Sequence, residues 1–358
     1  MRFHQIEMEN SKQGFIEIDG SYGEGGGQIL RTSLAFSALF KIPVRIHHIR
    51  AGRKKPGLQP QHLKGVEALT QITGAQTEGV KIGSQSISFI PQAISAGEYR
   101  FDIGTAGSVT LLLQAILLPL SFAQRQSRIT LMGGTHVPWS PPFHYFSELL
   151  ILFLRTMGIS VKATIERWGW YPKGGGMMRV EVEPAQELKR VVMLERGPIR
   201  QIHGLCATSL LPQHVGERLR DYAMKRIAGE IGIDPEIDLL HNVPANGPGA
   251  FIFLRAESEK AIAGFSALGE RGKRAEDVAK EAVDALEAYL ESDACLDLHL
   301  ADQILPFMAL SKGNSALTTS EITEHLLTNL WVLRQFLNIE ISIHGEKEKK
   351  GMIELFNK

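Results

Sequence analysis

Apolar and polar positions alternate at two spacings along the chain, and the two spacings take turns. Ile16 and Ile18 alternate with Glu17 and Asp19 and predict a short strand. A glycine-rich turn, Gly20 to Gly27, leads into an apolar helix over Gln28–Phe40. Val44–Ile49 alternates as a strand, and a basic loop, Arg50–Gly57, follows. A helix over Gln61–Thr73 ends at Gly74, and two strands near Glu78–Ile82 and Ser86–Ile90 close a β-α-β-α-β-β unit.

The same order recurs. Tyr99–Ile103 reads as a strand, Gly104–Ser108 as a turn of small residues, Val109–Ala123 as a helix and Arg128–Met132 as a strand. After the loop Gly133–Pro142, a helix with 3.6-residue periodicity covers Phe143–Met157, and Ser160–Trp168 and Met178–Val182 read as strands. A third unit opens on Val191–Leu194. It resumes with a helix Leu298–Leu310, a strand Ser315–Thr319, a helix His325–Leu337, and strands Ile339–His344 and Met352–Phe356. The period is too long for a solenoid repeat. The expected fold is therefore α/β (α+β). Three β-α-β-α-β-β repeats, helices inward around one axis, form a large domain of residues 1–194 and 295–358. A smaller α/β domain, 195–294, is inserted in the third repeat. Within it, strands are expected at His203–Thr208, Glu236–His241 and Ala250–Ala256, with helices at Gln213–Ile231 and Ala275–Glu291. No catalytic constellation stands out there, so a scaffold or substrate-guiding role is expected.

Composition narrows the picture. The 358 residues are 44% hydrophobic and 22% charged, ordinary for a globular protein. Lys plus Arg and Asp plus Glu number 39 each, so the formal net charge is zero and broad electrostatic binding of nucleic acid is not expected. Cys206 and Cys295 form no C-x-x-C pair, which suggests neither a zinc site nor a disulfide framework and suits a reducing, cytoplasmic setting. Met1–Glu7 is mixed and charged, unlike a signal peptide. The longest apolar run, Val109 to Ala123, is interrupted by Gln114, Pro119 and Ser121 and is too short for a membrane span.

Several residues could carry chemistry. Gly23 and Gly25–Gly27 let the backbone approach a ligand, and the helix that follows points bare N–H groups and its positive dipole end into the turn. Glu24 and Arg31 flank that point, a combination suited to a metal–phosphate ligand. The turn is neither a Rossmann fingerprint nor a P-loop, since Gln28 stands where the former needs glycine and no Gly-Lys-Ser/Thr follows. A tight β–α turn is the bland alternative. Alignment of the units places His62, His144 and His325 near the start of each second helix, where the dipole disfavours the imidazolium and keeps the ring nucleophilic. Singly, each is more often a packing or surface residue, but Thr and Asn side chains surround His325. Arg50, Arg53, Lys54 and Lys55 read either as a solvated loop or as a grip on a terminal phosphate. Gln114, inside an apolar helix, demands a polar partner.

Six motifs then align in order with one family. They are Asp19–Arg31, Ile49–Arg53 with Pro56-Gly57, Gly104–Ser108, Gly169–Gly176, Leu300–Gln303 and His325–Asn329. Over nearly its full length the chain resembles RNA 3'-terminal phosphate cyclases. The resemblance implies three repeats of the module seen in the C-terminal domain of translation initiation factor three. It also implies a reaction. A histidine attacks the α-phosphate of ATP to give histidine–AMP, AMP passes to an RNA 3'-phosphate to give RNA(3')pp(5')A, and the neighbouring 2'-OH closes a 2',3'-cyclic phosphodiester. Carried over residue by residue, the nucleophile is His325. ATP contacts fall on Gln114 and on His299, Leu300, Ala301, Asp302 and Gln303. Arg31, Arg50 and Arg53 hold phosphates, and Glu24 serves a divalent cation, Mg2+ or Mn2+. The implied partner is RNA with a 3'-phosphate. No membrane is implied, and a homodimer is compatible.

The sequence departs from the family pattern at His299, where tyrosine is frequent, and at Trp168, where histidine is expected before the Gly-x-x-Pro turn. Two other readings follow from fold likeness. A non-catalytic ribosomal RNA-processing branch lacks the nucleophilic histidine, so His325 argues against it. An enolpyruvyl-transferase-like enzyme would need Lys and Arg clusters facing a small carboxylated substrate and would form no nucleotidyl adduct.

Overall fold

The computed structural model describes residues 14–357, so Met1–Glu7 lies outside the described residues. The first sheet is built from β1 (Ile16–Asp19), β2 (Val44–His47), β3 (Gln76–Glu78) and β4 (Ile87–Ile90), with helices α1 (Gly27–Phe40) and α2 (Pro60–Thr73) between its strands. The second sheet contains β5 (Glu98–Asp102), β6 (Ser127–Gly133), β7 (Val161–Arg167) and β8 (Gly176–Val182). Its helices are α3 (Val109–Ser121) and α4, which runs through Phe143–Tyr145, a π-helical turn Phe146–Leu150, and Ile151–Thr156. After β9 (Val192–Met193) comes a separate group. It comprises β10 (Ile199–Ser209), α5 (Gln213–Arg226, continued by a π-helical Ile227–Ile231), β11 (Glu236–Leu240), β12 (Gly249–Ser258), β13 (Ile262–Leu268) and α6 (Ala275–Ser292). The chain ends with α7 (Leu298–Met308), β14 (Ser315–Thr319), α8 (Glu324–Phe336), β15 (Glu340–Gly345) and β16 (Gly351–Phe356).

Three sheets share one pairing scheme. Their orders are β1-β2-β4-β3, β5-β6-β8-β7 and β9-β14-β16-β15. In each, the first pair is parallel and the remaining pairs antiparallel. The fourth sheet, β11-β10-β12-β13, also pairs parallel, then antiparallel twice, but in a different strand order, and it carries α5 and α6. One buried apolar cluster runs from Ile18 to Leu355, and a second joins residues between Ile202 and Tyr289.

Helix α1 is central to the site. Every residue from Gln28 to Phe40 except Arg31 is buried, and the helix packs on α2, α3 and α8. Each fully buried Leu, Ile or Phe contributes roughly 1.5–3 kcal/mol. That burial fixes its N-terminal end, where no side chain caps the free N–H groups beyond Gly26.

Three expectations are corrected. The strand expected at Glu78–Ile82 is the shorter β3, because Gly79 and Gly83 adopt left-handed φ of 74° and 79° and turn the chain away. The alternation of Val80 and Ile82 reflects a turn, and Ile82 is exposed. The helix over Phe143–Met157 contains a π-helical turn, which a uniform 3.6 period does not show. Strand β13 lies in a stretch of small residues that carried no strand signal. Its Gly264 admits Leu149, since a Cβ there would come within 2.1 Å of Leu149 Cδ1.

Candidate active site

A cavity of about 730 Å3 opens where the N-terminal ends of α1, α2, α7 and α8 come together. The glycine turn forms one wall. Gly23 and Gly25 take φ of 54° and 57°, in the left-handed region that suits glycine. A Cβ on Gly23 would lie 2.4 Å from Thr328 Oγ1, and one on Gly27 2.4 Å from His62 Nε2. The missing side chains thus let the turn press on α8 and α2 together. Tyr22 stacks on Trp331 of α8, ring centroids 4.2 Å apart, and holds the same contact from outside.

His325 stands in the first turn of α8. Its Nδ1 lies 2.8 Å from Gln28 Oε1. An amide oxygen only accepts, so Nδ1 carries the proton and Nε2 is the ring nitrogen turned to the cavity. Nε2 is 2.9 Å from Glu24 Oε2, an oxygen without a hydrogen-bond partner. Arg53 pairs with the other carboxylate oxygen of Glu24. Burial, with Arg31 and Arg53 nearby, pulls the His325 pKa below its ordinary value, against the opposing pull of Asp302.

A clamp sits behind the imidazole. Asn329 Nδ2 donates to the Asp302 carbonyl at 2.8 Å, and Asn329 Oδ1 accepts from Thr32 Oγ1 at 2.8 Å, tying α8 to α7 and α1. Burial pushes the Asp302 carboxyl up to about 7, although His325 and Arg31 oppose the shift. Burial likewise brings Arg31 down to about 10, with Asp302 opposing. Among the described residues, the Arg31 guanidinium has no hydrogen bond or ion pair, which leaves its donors for a ligand. Gln114 finds the partner its burial demands: Nε2 donates to Gln303 Oε1 at 2.7 Å, and Gln303 Nε2 donates to the His299 carbonyl at 2.8 Å. Asp297 caps α7 through the His299 and Leu300 amides and accepts from the Tyr145 hydroxyl at 2.6 Å.

Of the residues singled out from sequence, Glu24, Arg31, Arg50, Arg53, Gln114, His299, Asp302, Gln303 and His325 all line this one cavity. Leu300 and Ala301 do not; both side chains are fully buried in the core. Arg50 reaches the cavity but is partly committed, because its Nη1 donates to the Lys55 and Gly57 carbonyls at 2.6 and 2.9 Å and braces the basic loop. The three aligned histidines separate. His62 lines the cavity, and burial together with Arg50, Arg31 and Arg53 drives its pKa down to about 3. His144 is a core residue, 2.9 Å from the equally buried His136, on which Trp168 stacks at 4.1 Å. Gln28 was legible only as a mismatch to a nucleotide fingerprint, and Trp139 carried no sequence signal. The fourth sheet, the loop after it and α6 also bring Ser266, Glu270, Lys273 and Glu281 to the cavity, so this segment shares a wall of the site. Among the described residues, no cluster of three His, Cys, Asp or Glu side chains could by itself hold a metal ion. No described helix is long and apolar enough to cross a membrane.

The family model described as RNA 3'-terminal phosphate cyclase matches residues 22–343. A protein of that name from Archaeoglobus fulgidus is 47% identical over 334 residues, covering 93% of this chain and 98% of its own. Another, from Staphylothermus marinus, is 45% identical over 348 residues, covering 95% and 97%. A solved enolpyruvyl transferase, NikO from Streptomyces tendae, covers 94% of this chain and 47% of its own at 13% identity with a TM-score of 0.37, a likeness that carries no argument.

Proposed function

The chain belongs to the RNA 3'-terminal phosphate cyclase family, and from that premise we propose that it uses ATP to convert an RNA 3'-phosphate into a 2',3'-cyclic phosphodiester through histidine–AMP and RNA(3')pp(5')A intermediates. The observation that carries this reading is the state of His325. It is fixed through Nδ1 by Gln28 and places Nε2 beside Glu24 within the cavity.

In the first step Nε2 attacks the α-phosphorus of ATP, the phosphoanhydride bond breaks, and pyrophosphate leaves. The neutral ring supplies the electron pair, and Gln28 Oε1 stabilises the Nδ1–H as charge develops on the ring. Arg31 offers unpaired donors to phosphate oxygens, and the uncapped N-terminus of α1 offers N–H groups beside it. In the second step an oxygen of the RNA 3'-phosphate takes AMP from Nε2, which regains its lone pair. In the third, the 2'-OH attacks the activated phosphorus, its proton passes to water, the phosphoanhydride bond breaks, and AMP leaves. His299, Gln114, Asp302 and Gln303 form the wall proposed for ATP. Arg50 and Arg53 are proposed for the RNA end.

A divalent cation fits this donor set as a shared ligand. Glu24 Oε2 is buried without a hydrogen-bond partner, and Mg2+ in phosphoryl-transfer sites commonly takes one or two carboxylates with phosphate oxygens completing the shell. Glu24 would hold Mg2+ or Mn2+, which supplies neutralisation of the leaving pyrophosphate when bound.

We also propose that residues 195–294 form an inserted domain, while 1–194 and 295–358 form the catalytic one. The separate apolar cluster between Ile202 and Tyr289 supports this division. Both cysteines are free and buried, which suits the cytoplasm. Incubating the protein with ATP, a divalent cation and 3'-phosphorylated RNA tests the reading. The expected product resists phosphatase and carries a cyclic end; RNA recovered with its 3'-phosphate open would sink it.

A further inference from the structure

We infer that Trp139 is a stacking platform for one of the last two nucleobases of the RNA, gripping the strand where it leaves the cavity; the inference rests on the cyclase reading above. Trp139 stands on the loop between β6 and α4 and lines the same cavity as His325 and Arg53. It is 93% exposed. Its φ is 58°, a left-handed conformation that is costly for a bulky residue and that gathers at functional sites. The loop is braced in this shape. Pro138, Pro141 and Pro142 flank it, Thr110 Oγ1 donates to the Pro141 carbonyl at 2.6 Å, and Ser140 Oγ donates to the Val137 carbonyl at 3.0 Å. The other tryptophans behave ordinarily: Trp168 and Trp170 are buried, and Trp331 is covered by Tyr22. A strained backbone that holds an indole out in water points to a partner that comes and goes.

The cavity identifies that partner. About 730 Å3 is the size of a small-ligand site, enough to take a nucleoside triphosphate. An RNA chain does not fit inside with it, so the nucleotides behind the reacting end must cross the rim, where the exposed indole stands. Zero net charge removes a long electrostatic footprint as the source of RNA affinity. Stacking on an aromatic ring supplies affinity without regard to sequence, because every base has a π-face.

The test compares wild type, Trp139→Ala and Trp139→Phe. Loss of one base stack corresponds to a rise in KM for 3'-phosphorylated RNA of roughly 5- to 150-fold. That rise is expected in Trp139→Ala, with kcat held and most of the loss recovered by phenylalanine. Oligonucleotides abasic at the last or the penultimate position should erase the difference between wild type and Trp139→Ala at one of those positions. An unchanged RNA KM, an equal rise in KM for ATP, or a difference that persists on both abasic substrates would overturn the inference. A second readout needs no turnover. Quenching of tryptophan fluorescence by a short 3'-phosphorylated oligoribonucleotide should be larger in wild type than in Trp139→Phe, and equal quenching would overturn the stack. Wild-type protein that binds in this way yet neither adenylylates nor cyclises would contradict the cyclase reading alone.

Discussion

His325 Nδ1 lies 2.8 Å from Gln28 Oε1, joining side chains 297 positions apart at the mouth of one cavity. The contact sets the tautomer of the ring, and it exists because the buried helix α1 holds Gln28 at the floor of the glycine turn. Gln28→Ala removes an acceptor that strengthens as charge develops on the imidazole. Adenylylation should slow by roughly 10- to 100-fold while the protein melts within a few degrees of wild type. The rate of label uptake from α-labelled ATP checks this, and an unchanged rate would leave Gln28 a packing residue.

Glu24 shows how far the sequence could be read. Its place in a glycine turn before a helix pointed to phosphate and metal chemistry, and the structure sets it beside His325 and Arg53. Glu24→Gln keeps the size but removes the charge. The metal concentration needed for half-maximal adenylylation should rise by about tenfold or more. Unchanged metal dependence would leave Glu24 as a partner of Arg53 only.

Local pattern made the strands, the helices and the glycine turn legible, because periodicity and glycine chemistry act over a few residues. The resemblance to the cyclase family picked out the site residues as a set, and nine of them line one cavity. What it could not reach depends on long-range packing. Leu300 and Ala301 sit in the same motif as His299 and Asp302, yet helical geometry turns their side chains into the core. His62 and His144 occupy matching positions but face a cavity and an aromatic core respectively. Ser266 and Lys273 reach the cavity only because the fourth sheet docks there.

Asp302 gives a stability signature. Its carboxyl ionises at about 7 in the folded protein, against an ordinary 3.8. Between those values the folded state holds a proton that the unfolded chain has lost, so this residue makes stability fall as pH rises through the window. Asp302→Asn removes the effect, which is about 4 kcal/mol at most. The melting temperature of the variant relative to wild type should climb between about pH 4 and pH 7 and level off outside that range. A constant offset would mean the carboxyl titrates normally.

The proposal that Arg50 and Arg53 serve the RNA end is tested by separating the two half-reactions. Replacing both by alanine should reduce cyclisation of 3'-phosphate RNA far more than it reduces adenylylation by ATP alone. Charge-assisted bonds to a phosphate contribute roughly 1.5–3 kcal/mol each, so the gap should exceed tenfold. Measuring the two steps separately decides it. Equal losses would assign these arginines to ATP, in line with the contact of Arg53 with Glu24.

The central claim is that His325 carries AMP. After incubation with ATP and a divalent cation, the intact protein should gain one adenylyl group, the modified peptide should place it on His325, and addition of 3'-phosphorylated RNA should discharge it. His325→Ala should gain nothing while keeping the wild-type melting temperature. A full-strength adduct on that variant, or an adduct mapped to another residue, would contradict the account.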